Sequence, residues 1–475
     1  MHILFKNLTQ QLSGWLACKD IKIPLLYLVG GTVRDLLLNC SPKDTDLVCR
    51  GAAEFARSLS KCKKAALVAM EKKPAEPCYR VVDKGDPNSF LDIAEMRGET
   101  IYEDLSRRDF TINAIAVEVN GDGSLGKTID PLNGAEDIKR KIIRLAGSNA
   151  LVSDPLRVLR VIRFAATLDF TVERSAWEEM KKRVPLLSNV SAERIMAEVM
   201  LILQSPRGSH FFRQMDDLGI LDIIVPEIRP MKGCGQNGFH HKDVWEHSLL
   251  VMQNCEKVLN NLPEYFGDVS PEVANNLDDF KRSELLKLVA LLHDIGKPGT
   301  RGINPDTGRI TFYRHDKEGA KILEAVAERL RMSNQGREFL VLLTAEHLHV
   351  LNLVSGEVKP STKMRWFRKM SDDSIPAIIL GMADVTGSLG PDSAEAYRMD
   401  FVDGAKQIVC DYYEGIKAKI ESPCLINGDD LISLGQEPGP KIGSILDQLR
   451  TAQDTGKLRS REEALDMAKR LIASE

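Results

Sequence analysis

A short apolar run, Leu25-Leu26-Tyr27-Leu28-Val29, ends in the glycine pair Gly30-Gly31, and a helical stretch follows over 32–39. No other feature constrains the chain as tightly. Without Cβ atoms at the turn, backbone N–H groups can approach a triphosphate closely, and the helix N-terminus behind them favours negative charge. Shortly afterwards comes Lys43-Asp44-Thr45-Asp46-Leu47-Val48. Asp44 and Asp46, two apart at a strand expected over 45–49, project both carboxylates from one face. Paired carboxylates suit Mg²⁺, one ion activating an attacking hydroxyl and a second holding the triphosphate. Alone, an Asp-x-Asp is a surface turn and a Gly-Gly a loop. Together, with Arg34-Asp35 on the helix between them, they point to metal-dependent phosphoryl transfer.

Strand-like runs over 65–70, 79–83, 88–94 and 111–119 and a helix over 51–60 complete an α+β pattern. Residues 1–20 read as an amphipathic helix. Beyond Asp130 the period becomes helical, over 154–168, 174–184, 191–203 and 208–219. Pro226 and the glycine-rich Gly233–Gly238 mark a boundary. The expected organisation is a head over 1–150, a helical neck over 151–230, a second helical domain over 231–410 and a helical tail over 411–475. Several cores are expected of 475 residues. No stretch reaches the roughly 18 apolar residues of a membrane helix. Nine scattered cysteines without CxxC pairs predict reduced thiols and a cytoplasmic setting. A net charge of −4 leaves any nucleic-acid binding to local basic patches.

Further motifs follow in order. Phe90-Leu91-Asp92-Ile93 offers a third carboxylate, Asp92. Next comes Leu105-Ser106-Arg107-Arg108-Asp109-Phe110-Thr111-Ile112-Asn113, then Ser153-Asp154-Pro155-Leu156-Arg157, whose Arg157, Arg160 and Arg163 share one helical face. Glu193-Arg194-Ile195-Met196-Ala197-Glu198 closes the series. In this order the motifs resemble those of class II tRNA nucleotidyltransferases and bacterial poly(A) polymerases, of the DNA polymerase β-like superfamily.

That resemblance implies a DNA polymerase β-like head of mixed sheet and helices, followed by an all-α neck, domain and tail. It implies transfer of CMP, and of AMP, from CTP and ATP to the 3′ end of tRNA, without a nucleic-acid template and with release of pyrophosphate. Asp44, Asp46 and Asp92 would serve Mg²⁺. Gly30, Gly31, Arg34, Arg107 and Arg108 would hold the triphosphate, and Asp109, beside Asn113, the ribose. Asp154 and Arg157, with Arg160 and Arg163 along the helix, would read the base. Asp154 accepts from the exocyclic amine of C or A and Arg157 donates to ring acceptors, so G and U leave buried groups unsatisfied. The Glu193–Glu198 motif is expected to be structural. Two departures matter. Ser153 stands where the family usually has Glu, which implies looser or differently braced base selection. Only residues 98–103 separate Arg97 from Asp104, where full CCA-adding members carry a longer flexible loop, so CC addition is favoured.

In the second helical region, His247, His293-Asp294, His315, His347 and Asp384 follow the H…HD…H…H…D order of HD-domain phosphohydrolases. Imidazoles and carboxylates from several helices can converge on Mg²⁺, Mn²⁺ or Ni²⁺ and activate water. Such domains attached to tRNA nucleotidyltransferases can act as phosphatases or cyclic phosphodiesterases, or as scaffolds. The basic run Lys363–Lys369 is a candidate contact for the tRNA backbone. Three other readings remain: a poly(A) polymerase or A-adding enzyme, an HD phosphohydrolase whose head only binds RNA, and a tRNA-binding module. The ordered histidines count against the poly(A) polymerase, the intact Asp44 and Asp46 against the HD phosphohydrolase, and the two complete sets of metal ligands against the tRNA-binding module.

Overall fold

Strand β1 (Leu26–Val29) is buried along its whole length, which only a central strand with cover on both faces can be. The remaining strands of the sheet are β2 (Asp46–Cys49), β3 (Ala66–Met70), β4 (Cys78–Val82), β5 (Phe90–Glu95), β6 (Ala116–Val119) and β7 (Leu125–Ile129), in the spatial order β3-β4-β5-β2-β1-β6-β7. All neighbours are antiparallel except β2 and β5, which run parallel. A parallel pair needs a crossover. The helix Ala52–Lys63, which buries Ala52, Phe55, Ala56 and Leu59 along one stripe, begins it, and the β3–β4 hairpin completes it. The structure is a computed structural model that describes residues 2–19, 21–70, 77–354, 358–390 and 394–473. It divides into two compact units, 1–194 and 195–475.

The α+β head and the helical remainder agree with the sequence reading, and several details differ. Asp44 lies in a bend before β2, exposed, rather than in the strand itself. The strand β7 and the short pair Ile142–Ile143/Thr171–Val172 went unread, because Leu125–Ile129 and its like carry too few alternating apolar residues. Residues 98–103 are no open loop: Thr100 caps a helix over Ile101–Ser106, and the amide of Arg97 donates to Asp104 at 3.0 Å. Finally, Cys18 and Cys62 form a disulfide, against the expected set of reduced thiols. Spacing along the chain does not show that helix His2–Leu16 packs on helix Ala52–Lys63 and brings the two Cα atoms to 6.4 Å.

In the second unit the helix Ser374–Gly387 is buried on nearly every side. Helices Val244–Asn260, Arg282–Leu292 and Asn334–Val354 pack against it. A hairpin, Arg301–Ile303 with Ile310–Phe312, interrupts what the sequence presents as helical throughout. Residues from Ile426 to Ala468 gather a small apolar cluster of their own. The basic run 363–369 spends its charges internally: Lys363 faces Asp411, Arg365 faces Asp447, Arg368 faces Asp454 and Asp447, and Lys369 faces Glu346. Among the described residues no helix is long and apolar enough to cross a membrane.

Candidate active site and metal centre

The parallel register of β2 and β5 sets Asp46 directly beside Asp92. The glycine turn lies against this pair. Gly30 has φ +68°, and a Cβ there would come within 3.3 Å of both Asp46 Oδ2 and the Arg108 guanidinium. Thr32, fully buried, clamps the approach to β2: its hydroxyl donates to the Asp44 carbonyl at 3.0 Å and accepts from the Asp46 amide at 2.9 Å. Burial, then the Asp92 and Asp44 carboxylates, push the Asp46 carboxyl up to about 6 against the opposing pull of Arg108 and Arg34. Clustered hard oxygen donors whose mutual repulsion calls for positive charge fit Mg²⁺. Arg80, across from Asp92 on β4, meets both its oxygens, at 2.8 and 2.7 Å.

A polar chain runs sideways from the glycine helix. Arg34 donates to Asp35 and, at 2.9 Å, to Asn113; Asn113 donates to Asp109 at 3.0 Å; Arg160 pairs with the other Asp109 oxygen. Burial alone would raise the Asp109 carboxyl, but Arg160, Asn113, Arg157 and the Phe110 amide hold it well below the usual carboxylate range. Arg34 and Arg163 both stack on Phe164, at 5.1 and 3.8 Å from the ring centre. Arg108 pairs with the buried Asp104, whereas Arg107 is largely exposed and 3.8 Å from Glu103. Asp154 and Arg157 have further partners. Asp154 is held by Arg194, and Arg157 donates to the carbonyls of Ala150, Arg107 and Arg108. Ser153 and Arg157 line a cleft of about 580 Å³ with Arg97, Arg107 and Asn149.

Thr32, Arg80, Asp104, Phe164 and Arg194 were not assigned from the sequence to any of these groups. Arg194 sat in a motif read as structural. Arg80 was recoverable only from strand register, which the alternation of β4 and β5 suggests without fixing.

In the second unit all six expected ligands meet. His247 Nε2 is 3.0 Å from Asp384 Oδ1, His293 Nε2 is 3.2 Å from Asp294, and His315 Nε2 is 3.4 Å from Asp294 and 3.2 Å from His347 Nε2. His293, His315 and His347 each place Nδ1 within 2.9 Å of the carbonyl three residues back, which turns Nε2 inward. The Nε2 of His293 is buried without a hydrogen bond of good geometry, as a lone pair awaiting a cation would be. Mixed imidazole and carboxylate donors suit a divalent transition metal. Gly296 makes this approach possible: a Cβ there would lie 2.2 Å from the His315 carbonyl. Lys297 pairs with Asp294 at 2.7 Å. His240, passed over in the sequence, stacks edge-on to His247 at 4.5 Å, and burial, then Lys297 and His247, push its imidazole down to about 3. The centre opens into a cleft of about 900 Å³ lined by Phe239, Arg309, Phe312, Tyr313 and Tyr397 among others.

Three families of known sequence match the chain in order: the poly(A) polymerase head domain over 26–144, the probable RNA and SrmB-binding site of polymerase A over 169–232, and the HD domain over 244–387. An A-adding tRNA nucleotidyltransferase of Deinococcus radiodurans is 30% identical over 450 residues, 93% of this chain and 94% of that one. The chain belongs to the class II CCA-adding tRNA nucleotidyltransferases with an HD domain. Within the family, a CC-adding tRNA nucleotidyltransferase of Thermus thermophilus is 29% identical, covering 92% of each chain. A CCA-adding enzyme solved with CTP shares the fold at a TM-score of 0.63 and 25% identity, over 98% of this chain and 94% of that one.

Proposed function

We propose that this nucleotidyltransferase adds two cytidylates to the 3′ end of tRNA, using CTP and releasing pyrophosphate. The observation that carries the choice of nucleotide is the pinned segment after β5. Only 96–100 separate that strand from the helix Ile101–Ser106, and the Asp104 contact with the Arg97 amide ties the segment down. A switch from C to A within one site would need the wall there to move, and this one is short and tethered. Ligation of Asp44, Asp46 and Asp92 to Mg²⁺ would supply charge neutralisation and activation of the attacking 3′ hydroxyl. The backbone at Gly30 and Gly31, with Arg108, would receive the triphosphate. Asp109, kept ionised by Arg160, would accept from the ribose 2′ hydroxyl. Asp154 and Arg157 would read the cytosine edge.

Incubating the protein with tRNA lacking its CCA end, with CTP alone, ATP alone or both, and sequencing the products tests this reading. A product ending in CC under every condition that includes CTP is expected. Addition of A to a tRNA that already ends in CC would replace it with adenylate addition, a reading supported by the likeness to the Deinococcus enzyme.

For the HD centre we propose hydrolysis of phosphate esters, with Lys297 and Arg309 beside the ligand cluster to take the phosphate charge. Release of phosphate from a nucleoside monophosphate or a cyclic phosphate in the presence of Ni²⁺ or Mn²⁺ tests it; no release with any divalent metal makes the centre a structural one.

A further inference from the structure

We infer, on the reading of Asp92 as a carboxylate that serves Mg²⁺, that Arg80 is a positioning residue for the transfer reaction. It stops Asp92 from closing on the metal with both oxygens, and so keeps a place open there for the attacking hydroxyl.

The sheet sets four features in a row. Its central strands run β1-β2-β5-β4. Gly30 follows the end of β1, Asp46 opens β2, and the registers align Asp46 with Asp92 and Asp92 with Arg80. Residues paired in this way present their side chains on one face. Asp92 therefore lies between a carboxylate and a guanidinium. Arg80 is three strands from the glycine turn, roughly 14 Å of sheet, too far to serve the triphosphate. Its effect falls on Asp92.

An exposed ion pair contributes little, because water screens it and two long side chains must be ordered. This pair is of another kind. The Asp92 side chain is 9% exposed and that of Arg80 33%. Nε of Arg80 donates to one Asp92 oxygen at 2.8 Å and Nη2 to the other at 2.7 Å, the two-point contact for which a planar guanidinium is shaped. Phe90, two residues before Asp92 and so on the same face, carries the guanidinium over its ring, 4.0 Å from the centre. Ring and carboxylate together fix the cation.

A carboxylate can hold a divalent cation through one oxygen or through two. The guanidinium fork lies across both Asp92 oxygens and occupies the approach that a two-oxygen grip needs. One acceptor position remains on each oxygen, enough for a one-oxygen contact. The charge of Arg80 also opposes a second cation at Asp92. Both effects weaken metal binding, and both leave the metal less enclosed by protein. Without Arg80, Asp92 is a bare carboxylate that holds metal more tightly and leaves fewer places for substrate. The acceptor's 3′ hydroxyl is the group that loses its place, because the triphosphate would be received at the glycine turn on the other side of Asp46.

Removing a merely structural Arg80 would lower metal affinity and rate together, whereas this role moves them in opposite directions. The test uses the full chain. Mn²⁺ binding to nucleotide-free protein is titrated by electron paramagnetic resonance, and CMP transfer to tRNA lacking its CCA end is measured in saturating Mg²⁺. The class of Mn²⁺ sites that Asp44→Ala removes is that of the head. Arg80→Met is expected to bind Mn²⁺ in this class about tenfold tighter or more. Its kcat is expected to fall by about tenfold or more, with KM for CTP within about twofold of wild type. Arg80→Lys, which keeps the charge but not the fork, is expected to hold Mn²⁺ affinity within about threefold while kcat falls. If Arg80→Met does not fold, Arg80→Gln is judged by the same split. With Asp92→Asn impaired, an Arg80→Met protein that fails to bind Mn²⁺ more tightly, or that keeps wild-type kcat, overturns the positioning role alone. Wild-type affinity and kcat in Asp92→Asn overturn the assignment of Asp92 and this inference with it.

Discussion

Asp46 and Asp92 are Cα partners across the parallel pair β2–β5, so carboxylates far apart in the chain share one face of the sheet. Because burial and this neighbour raise Asp46 to about 6, its folded value lies above its unfolded one. The folded protein then binds the extra proton between roughly pH 4 and 6, and stability falls as pH rises through that window. In metal-free protein, Asp46→Asn is expected to be more stable than wild type above pH 6, by up to roughly 3 kcal/mol, and the gap to close below pH 4. Urea denaturation with a chelator, at pH 4 and pH 8, checks it. A pH-independent difference would show that folding does not raise the Asp46 carboxyl.

Nucleotide incorporation itself depends on Asp44. Replacement with Ala removes an exposed carboxylate without opening the core. It is expected to abolish incorporation while tRNA binding, measured by gel shift, stays within about threefold of wild type, a change below 1 kcal/mol. Normal incorporation would remove Asp44 from the metal site.

Thr32→Val keeps the shape of the side chain but leaves the Asp44 carbonyl and Asp46 amide without their partner. Unsatisfied buried groups cost about 1–3 kcal/mol each. The turn is expected to slacken, with kcat lower by about tenfold or more, the effect of ~1.4 kcal/mol in the transition state. Steady-state kinetics with CTP measures this; an unchanged kcat would mean that the strand alone places Asp46.

At the HD centre, His293→Ala removes an imidazole at the meeting point of the ligands. Loss of bound divalent metal by elemental analysis, loss of any phosphate-ester hydrolysis and retention of CMP transfer are the expected results. Loss of transfer together with the metal would make the HD region a support for the head. Asp294→Ala is expected to be the harsher change, because it also takes the carboxylate from the buried Lys297 and leaves that ammonium with the neutral Gln236 amide oxygen at 2.7 Å.

The Cys18–Cys62 bond closes a loop of sequence separation 44. Its reduction is expected to destabilise the head by about 2–4 kcal/mol, through the entropy returned to the unfolded chain. Thermal melts with and without reductant, compared with Cys18→Ser, measure the effect. Equal melting temperatures would show that the two helices hold their places without it.

The local motifs were legible because their chemistry is local. The strand–Gly-Gly–helix turn needs only residues 25–39, and the helices Arg174–Arg183 and Ala192–Leu203 fall within a residue of their periodic signals. The HD ligands were legible by order, since a set of metal ligands leaves a series of residue types even when the helices between them vary. Asp92 was named as a third carboxylate, but its register against Asp46 was not visible. Arg80 and Thr32 were missed because an arginine on a strand and a threonine in a helix are ordinary residues until a partner is known.

The sequence alone determined the class of chemistry: a glycine turn, acidic pairs and an ordered histidine set fix which atoms are present to bind metal and phosphate. Only the tertiary structure decided how those atoms are held. The sheet places Asp92 beside Asp46, helix packing brings Cys18 to Cys62, and Asp154 is given to Arg194 rather than to Arg157. The physical reason is range. Propensity and periodicity act over a few residues, whereas a buried charge selects its partner from whatever the fold brings within about 3 Å, at any distance along the chain.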